Sequence, residues 1–252
     1  MDVWLAALSG LIGGGALFLG AGVAWFVTVP RLVVTAIMAF GAGVLISTLA
    51  FELVAEAAEG GGVVPTAGGF LAGAVIYIAA DWLVSRPKTV PDAARNIAKR
   101  RGKGTAALSG GGAAIAVGSV IDGIPESVVM GLSVLQTGGI SIPIVAAIAI
   151  SNIPEGLSST AAFKQDGNRG RTVALLWGGI TAASVIAAVV GYLALQAAPP
   201  ELVAVITSIA AGALLAMVAN TMIPEAFERL HLLTGLWTTL GFLLAFVMHE
   251  LG

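Results

Sequence analysis

Apolar runs long enough to cross a bilayer recur along this chain, and they constrain its fold more than any other feature. Broken only by charged or turn residues, they fall near 3–28, 33–55, 63–84, 107–135, 141–163, 172–197, 202–224 and 230–249. A span takes about 20 residues, so 252 residues hold eight spans with short connections and no separate soluble domain. Of the residues, 58% are apolar and 10% charged, with a mean hydropathy of +0.98, more apolar surface than a soluble core can hide. The expected fold is an all-α polytopic membrane protein of eight transmembrane helices, a single transmembrane domain over 1–252. The first run starts behind Asp2 without the basic flank of a cleaved signal peptide, and reads as a retained helix. Cysteine is absent, which excludes disulfides and thiolate metal sites. Glycines inside the runs, such as Gly10, Gly13, Gly14 and Gly20, suit close helix packing in lipid.

Orientation follows from where Lys and Arg fall. The first connection holds Arg31; the third holds Arg86, Lys88, Arg95, Lys99, Arg100, Arg101 and Lys103; the fifth holds Lys164, Arg169 and Arg171; the seventh holds Arg229. All 12 basic residues therefore sort to odd-numbered connections. That sorting puts the basic loops in the cytoplasm and both termini outside, in a multi-pass protein of the cytoplasmic (inner, plasma) membrane. The segment 86–106 is expected to be a solvated basic cytoplasmic loop. Lying between two membrane ends and containing Pro87, Pro91 and Gly102, it does not read as a nucleic-acid patch.

A repeat is visible at an offset of 169. Gly43 overlays Gly212, and Ala42, Leu45, Ala50, Glu56 and Ala57 overlay Ala211, Leu214, Ala219, Glu225 and Ala226. The Glu56/Glu225 match carries the most weight, because charge is scarce. The two spans run in opposite directions, so the repeat is inverted, with spans 1–3 and 6–8 related around a central pair, 4 and 5. Those two match at an offset of 29, Ile124-Pro125-Glu126 on Ile153-Pro154-Glu155. Inverted repeats are a common way for transporters to build two faces around a midplane site.

The central pair carries the chemistry. Span four reads Ser119-Val120-Ile121-Asp122-Gly123-Ile124-Pro125-Glu126-Ser127, and span five Ser151-Asn152-Ile153-Pro154-Glu155-Gly156. A charge at the bilayer centre costs about 2.5–3.5 kcal/mol on insertion scales. Three acids therefore cost roughly 8–10 kcal/mol, as much as a whole domain's stability. No Lys, Arg or His lies on a span centre to offset them. A divalent cation supplies the missing charge; the competing reading is two proline-bent helices with protonated, hydrogen-bonded carboxylates. Asp122 and Glu126 share a helix face at i,i+4, as do Asn152 and Glu155 at i,i+3. Pro125 and Pro154 also free the carbonyls of Ile121 and Ile150. The result is an oxygen-rich cavity suited to hard or borderline cations.

On these motifs the chain resembles the ZIP (Zrt/Irt-like) family of metal permeases along essentially its whole length. The family has eight spans, outside termini and a long third cytoplasmic loop, and typically shows His-Asn-x-Pro-Glu-Gly on span four and a His or Gln-Asp variant before Pro-Glu-Gly on span five. Here Asp122 stands at the usual histidine, Gly123 at the asparagine and Ser127 at the glycine, while Ser151 and Asn152 replace the span-five pair. Span six, at Gly179-Ile180-Thr181-Ala182-Ala183, lacks the glutamate with which many relatives complete a second metal position. The resemblance implies transport of zinc, iron, manganese or cadmium through one site of Asp122, Glu126, Asn152 and Glu155, with Ser119 or Ser151 as extra ligands. Loss of the imidazole implies greater tolerance of harder ions.

Glu52, Glu56, Glu225 and Glu228 are candidate stepping stones toward the two membrane faces, although interfacial glutamate is ordinary. Asp81, His231 and His249 read as interfacial. No Ser/His pairing or His-Glu-x-x-His run supports an intramembrane enzyme. The expected partners are membrane lipid and divalent metal ions, with no nucleic acid and no prosthetic group, and a homodimer is the candidate assembly. The alternative function is that of a degenerate family member serving as a metal-responsive membrane scaffold.

Overall fold

The computed structural model describes residues 2–85 and 110–251. The expected basic loop over 86–106 lies outside the described residues. Among those described, the chain is all-helical, with eight long helices: α1 (Val3–Phe26), α2 (Arg31–Gly61), α3 (Val63–Ser85), α4 (Gly110–Thr137), α5 (Ile142–Gln165), α6 (Gly170–Leu195), α7 (Pro200–Leu230) and α8 (Leu233–Leu251). Seven of these, α1–α3 and α5–α8, are long and apolar enough to cross a membrane. The long apolar helices make the chain compatible with a polytopic membrane protein.

Where helices begin and end follows local chemistry. Ser141 caps α5, accepting a hydrogen bond from the Ile144 amide, with Pro143 in the first turn. Gly62 turns α2 into α3 at φ 85°, a conformation that a Cβ would strain. The second and seventh helices run past the hydropathy breaks at 55 and 224, to Gly61 and Leu230, so Glu56, Glu59, Glu225 and Glu228 are helical. Each also contains a π-helical stretch, Leu49–Val54 in α2 and Val218–Met222 in α7, a feature frequent at functional sites.

The helices form two groups. In one, α1 packs on α5 and α6, and α6 on α4. Cross-helix hydrogen bonds pin this group: Thr181 Oγ1 donates to the Gly14 carbonyl at 2.8 Å, and the wholly buried Trp177 donates Nε1–H to Thr160 Oγ1 at 2.9 Å. In the other group, α2 packs on α8 and α3 on α7, with α2 and α7 the most buried helices. Glycines set both of these crossings. A Cβ on Gly43 would run into the Thr238 carbonyl and one on Gly241 into that of Phe40, joining α2 to α8. The same holds for Gly212 against the Phe70 carbonyl and Gly73 against that of Ile209, joining α7 to α3. Close backbone approach through small residues is how helices gain packing energy in lipid, where no hydrophobic effect drives them together. The two groups meet mainly through α2 with α5 and α4 with α7, and the candidate site lies along that seam.

Candidate functional site

A cavity of about 170 Å³ opens between the groups, lined by Ser119, Asp122 and Glu126 of α4, Ser151, Glu155 and Ser159 of α5, Met38 of α2, and Met217, Thr221, Met222 and Glu225 of α7. Four carboxylates face one small space, and among the described residues no basic side chain lines it. Asp122 Oδ1 accepts a hydrogen bond from the Tyr77 hydroxyl of α3 at 2.8 Å, and that hydroxyl also lies 3.4 Å from Thr221 Oγ1. Glu155 Oε1 accepts from Ser119 Oγ at 2.8 Å, joining α5 to α4. Glu225 Oε1 accepts from Ser158 Oγ at 2.9 Å. Glu126 is almost wholly buried, and its Oε1 has no hydrogen-bond partner among the described residues. An orphaned buried carboxylate oxygen is costly and calls for a proton or a cation.

Five of the six residues singled out from sequence line this cavity: Ser119, Asp122, Glu126, Ser151 and Glu155. Asn152 does not. Its Nδ2 donates to the Gly13 carbonyl at 3.0 Å, tying α5 to α1, while the side chain also sits against the Glu126 carboxyl. Ser151 donates its hydroxyl to the Ile148 carbonyl at 2.9 Å, which leaves its oxygen lone pairs for a ligand. The Ile150 carbonyl freed by Pro154 lies against Gly41 of α2, where it serves helix packing. Among the described residues, no three or more His, Cys, Asp or Glu side chains converge as a set that could hold a metal ion. The carboxylates share a cavity without sharing a coordination point.

No protein-family model matches the chain, and no curated protein matches it.

Several lining residues were not legible in sequence. Met38, Met217 and Met222 bring three thioethers to the cavity, and Ser159 and Thr221 bring hydroxyls. A Met in an apolar run reads as core filler, and only tertiary packing reveals which one faces a cavity. Glu225 faces the central cavity and also lines a second, larger one of about 560 Å³ between the ends of α1, α2, α5 and α7. This vestibule also carries Arg31, Lys164, Glu228 and Arg229, and it marks the basic end of the helical bundle. At the opposite end, His249 Nδ1 lies 2.8 Å from Glu52 Oε1 and the imidazole stacks on Phe51 at 5.5 Å. His249 thus has a specific partner at this end of the bundle.

Proposed function

We propose that this chain transports divalent metal cations across the cytoplasmic membrane, with eight spans, termini outside and the basic end in the cytoplasm. The observation that carries the reading is the cavity lined by Asp122, Glu126, Glu155 and Glu225 with no basic side chain of the described residues among its walls. Such a space repels anions and lowers its own energy by taking up a cation. Glu225, shared with the vestibule, gives the ion a route of release toward the cytoplasm. The resemblance to ZIP permeases at Pro125-Glu126 and Pro154-Glu155 fits this reading. The metal ion is the cargo, and these side chains hold it only in passing: Glu126 and Glu155 supply the strongest oxygens, while Asp122 exchanges its Tyr77 hydrogen bond for the ion.

The inverted repeat belongs to the same proposal. The π-helical stretches begin at Leu49 and Val218, again 169 apart, and the glycine crossings pair α2 with α8 as they pair α7 with α3. Exchanging the repeats replaces Met38, Met217, Thr221 and Glu225 by Thr207, Thr48, Glu52 and Glu56. Thr48 and Thr207 are buried and their hydroxyls lack partners among the described residues, as expected of residues that meet water or an ion in the other conformation.

The thioethers adjust the expected selectivity. Soft sulfur beside carboxylate oxygen offsets the loss of the imidazole and favours ions such as cadmium along with zinc. In competition uptake with zinc, manganese, iron and cadmium, Asp122→His is expected to shift the ranking toward zinc. An unchanged ranking would remove Asp122 from contact with the ion.

Topology is tested with single cysteines in the cysteine-free chain. Gly138 takes φ 68°, so Gly139, with open space around it, is the better reporter. Gly139→Cys should react with an impermeant thiol reagent in intact cells and Asp166→Cys should not; the reverse pattern would invert the orientation.

A second reading, a metal-responsive scaffold, draws on the hydrogen bonds from Tyr77 and Ser119 that already occupy Asp122 and Glu155. Metal flux into proteoliposomes separates it from transport.

A further inference from the structure

The vestibule at the basic end carries more positive charge than cation release explains. Arg31, Lys164 and Arg229 all line it, from three different helices. Among the described residues, neither Arg31 nor Arg229 forms an ion pair with Glu225 or Glu228, although both acids line the same space. Lys164 is held at the rim: its Nζ donates to the Trp25 carbonyl at 2.8 Å and lies 5.9 Å from the Trp25 ring centroid. Helix α2 starts at this mouth behind Pro30 with no capping side chain, so the first-turn amides and their dipole add to the positive field. Val27, Val29, Val34 and Leu157 give the wall an apolar strip, beside the hydroxyls of Thr28, Thr35 and Ser158.

A rim of three cations opposes the exit of a divalent cation, and three positive charges against two carboxylates leave an excess that an anion can neutralise. The volume, about 560 Å³, falls within the range of ligand sites, roughly 300–1,000 Å³. We propose that this vestibule binds the phosphate headgroup of an anionic phospholipid, gripped by Arg31, Lys164 and Arg229, with its upper acyl carbons along Val27, Val29, Val34 and Leu157. Free phosphate offers the same charge, but it leaves the apolar strip uncovered. Anionic lipids are attracted to basic groups at the membrane surface, and this cavity turns that attraction into a discrete site. The consequence for metal release rests on the transport reading; the binding site does not.

The test is native mass spectrometry of the full chain purified from mixed phosphatidylglycerol and phosphatidylcholine vesicles, which reads lipid retention and not uptake. Phosphatidylglycerol should be retained in preference to phosphatidylcholine and should resist displacement by inorganic phosphate. Arg31→Gln with Arg229→Gln should weaken retention about thirty-fold, from the surface attraction of two basic groups. Arg171→Gln, outside the vestibule, should leave retention unchanged. Equal retention of the two lipids, or ready displacement by inorganic phosphate, would overturn the proposal with the wild-type protein alone. Undiminished retention in the double variant would overturn it as well. None of these results depends on whether metal is transported.

Discussion

Glu126→Ala and Glu155→Ala are each expected to abolish metal uptake while leaving a folded, inserted protein. Both acids line the central cavity, Glu126 beside Pro125 of α4 and Glu155 beside Pro154 of α5, and both are deep among the helices. Even indirect perturbation of metal ligands commonly costs 10–100-fold in affinity, so losing a direct carboxylate should reduce uptake by about 100-fold or more. Stability should hold, because truncating a buried acid removes its desolvation cost, against which Glu155 loses only its one hydrogen bond from Ser119, about 1 kcal/mol. Glu126→Gln separates charge from shape: it keeps the side-chain volume and should be as inactive as Ala. Asp122→Ala should be nearly as severe, whereas Ala at Glu52 or Glu228, neither of which lines the central cavity, should change only the rate. Radiometal uptake checked against the amount of monodisperse protein reads all of these. Uptake that survived the combined loss of Glu126 and Glu155 would mean that the ion does not pass through this cavity.

The second large effect concerns assembly. Gly43→Val and Gly212→Val should each prevent folding, because the new side chain must occupy space held by the carbonyl of Thr238 or of Phe70. Overpacking usually costs about 1–3 kcal/mol when side chains can yield; against backbone the cost should be at or above the top of that range. Gly15→Val and Gly22→Val are the controls, since no atom of the described residues lies within 4 Å of a Cβ added at either position. Size-exclusion profiles and thermal unfolding in detergent should show aggregation for the first pair and near-wild-type behaviour for the second. Comparable behaviour of all four variants would contradict the close helix crossings.

These glycines also show how far the sequence could be read. Their abundance suggested close packing in lipid, but which of them touch a backbone depends on how helices cross, and that is not encoded in local pattern. Hydropathy found the long apolar helices yet stopped two of them short at Glu56 and Glu225, since charge ends an apolar run without ending a helix. The proline-glutamate motifs led to five of the cavity-lining residues because intramembrane charge is rare enough to mark a site. Asn152 does not line the cavity: its Nδ2 donates to the Gly13 carbonyl of α1, although the side chain also meets the Glu126 carboxyl, a placement that helical spacing beside Glu155 does not reveal. The contributions of Met38, Met217, Thr221 and Met222, and the pairing of Glu52 with His249, join residues far apart in sequence and appear only once the helices are packed.

The central claim is flux, and reconstitution measures it most directly. Purified protein in sealed proteoliposomes, given zinc, cadmium or manganese outside and a metal-sensing dye inside, should show saturable uptake absent from empty vesicles and from the Glu126→Ala, Glu155→Ala double variant. Metal binding to the purified protein without any flux across the vesicle wall would contradict transport and leave the scaffold reading in its place.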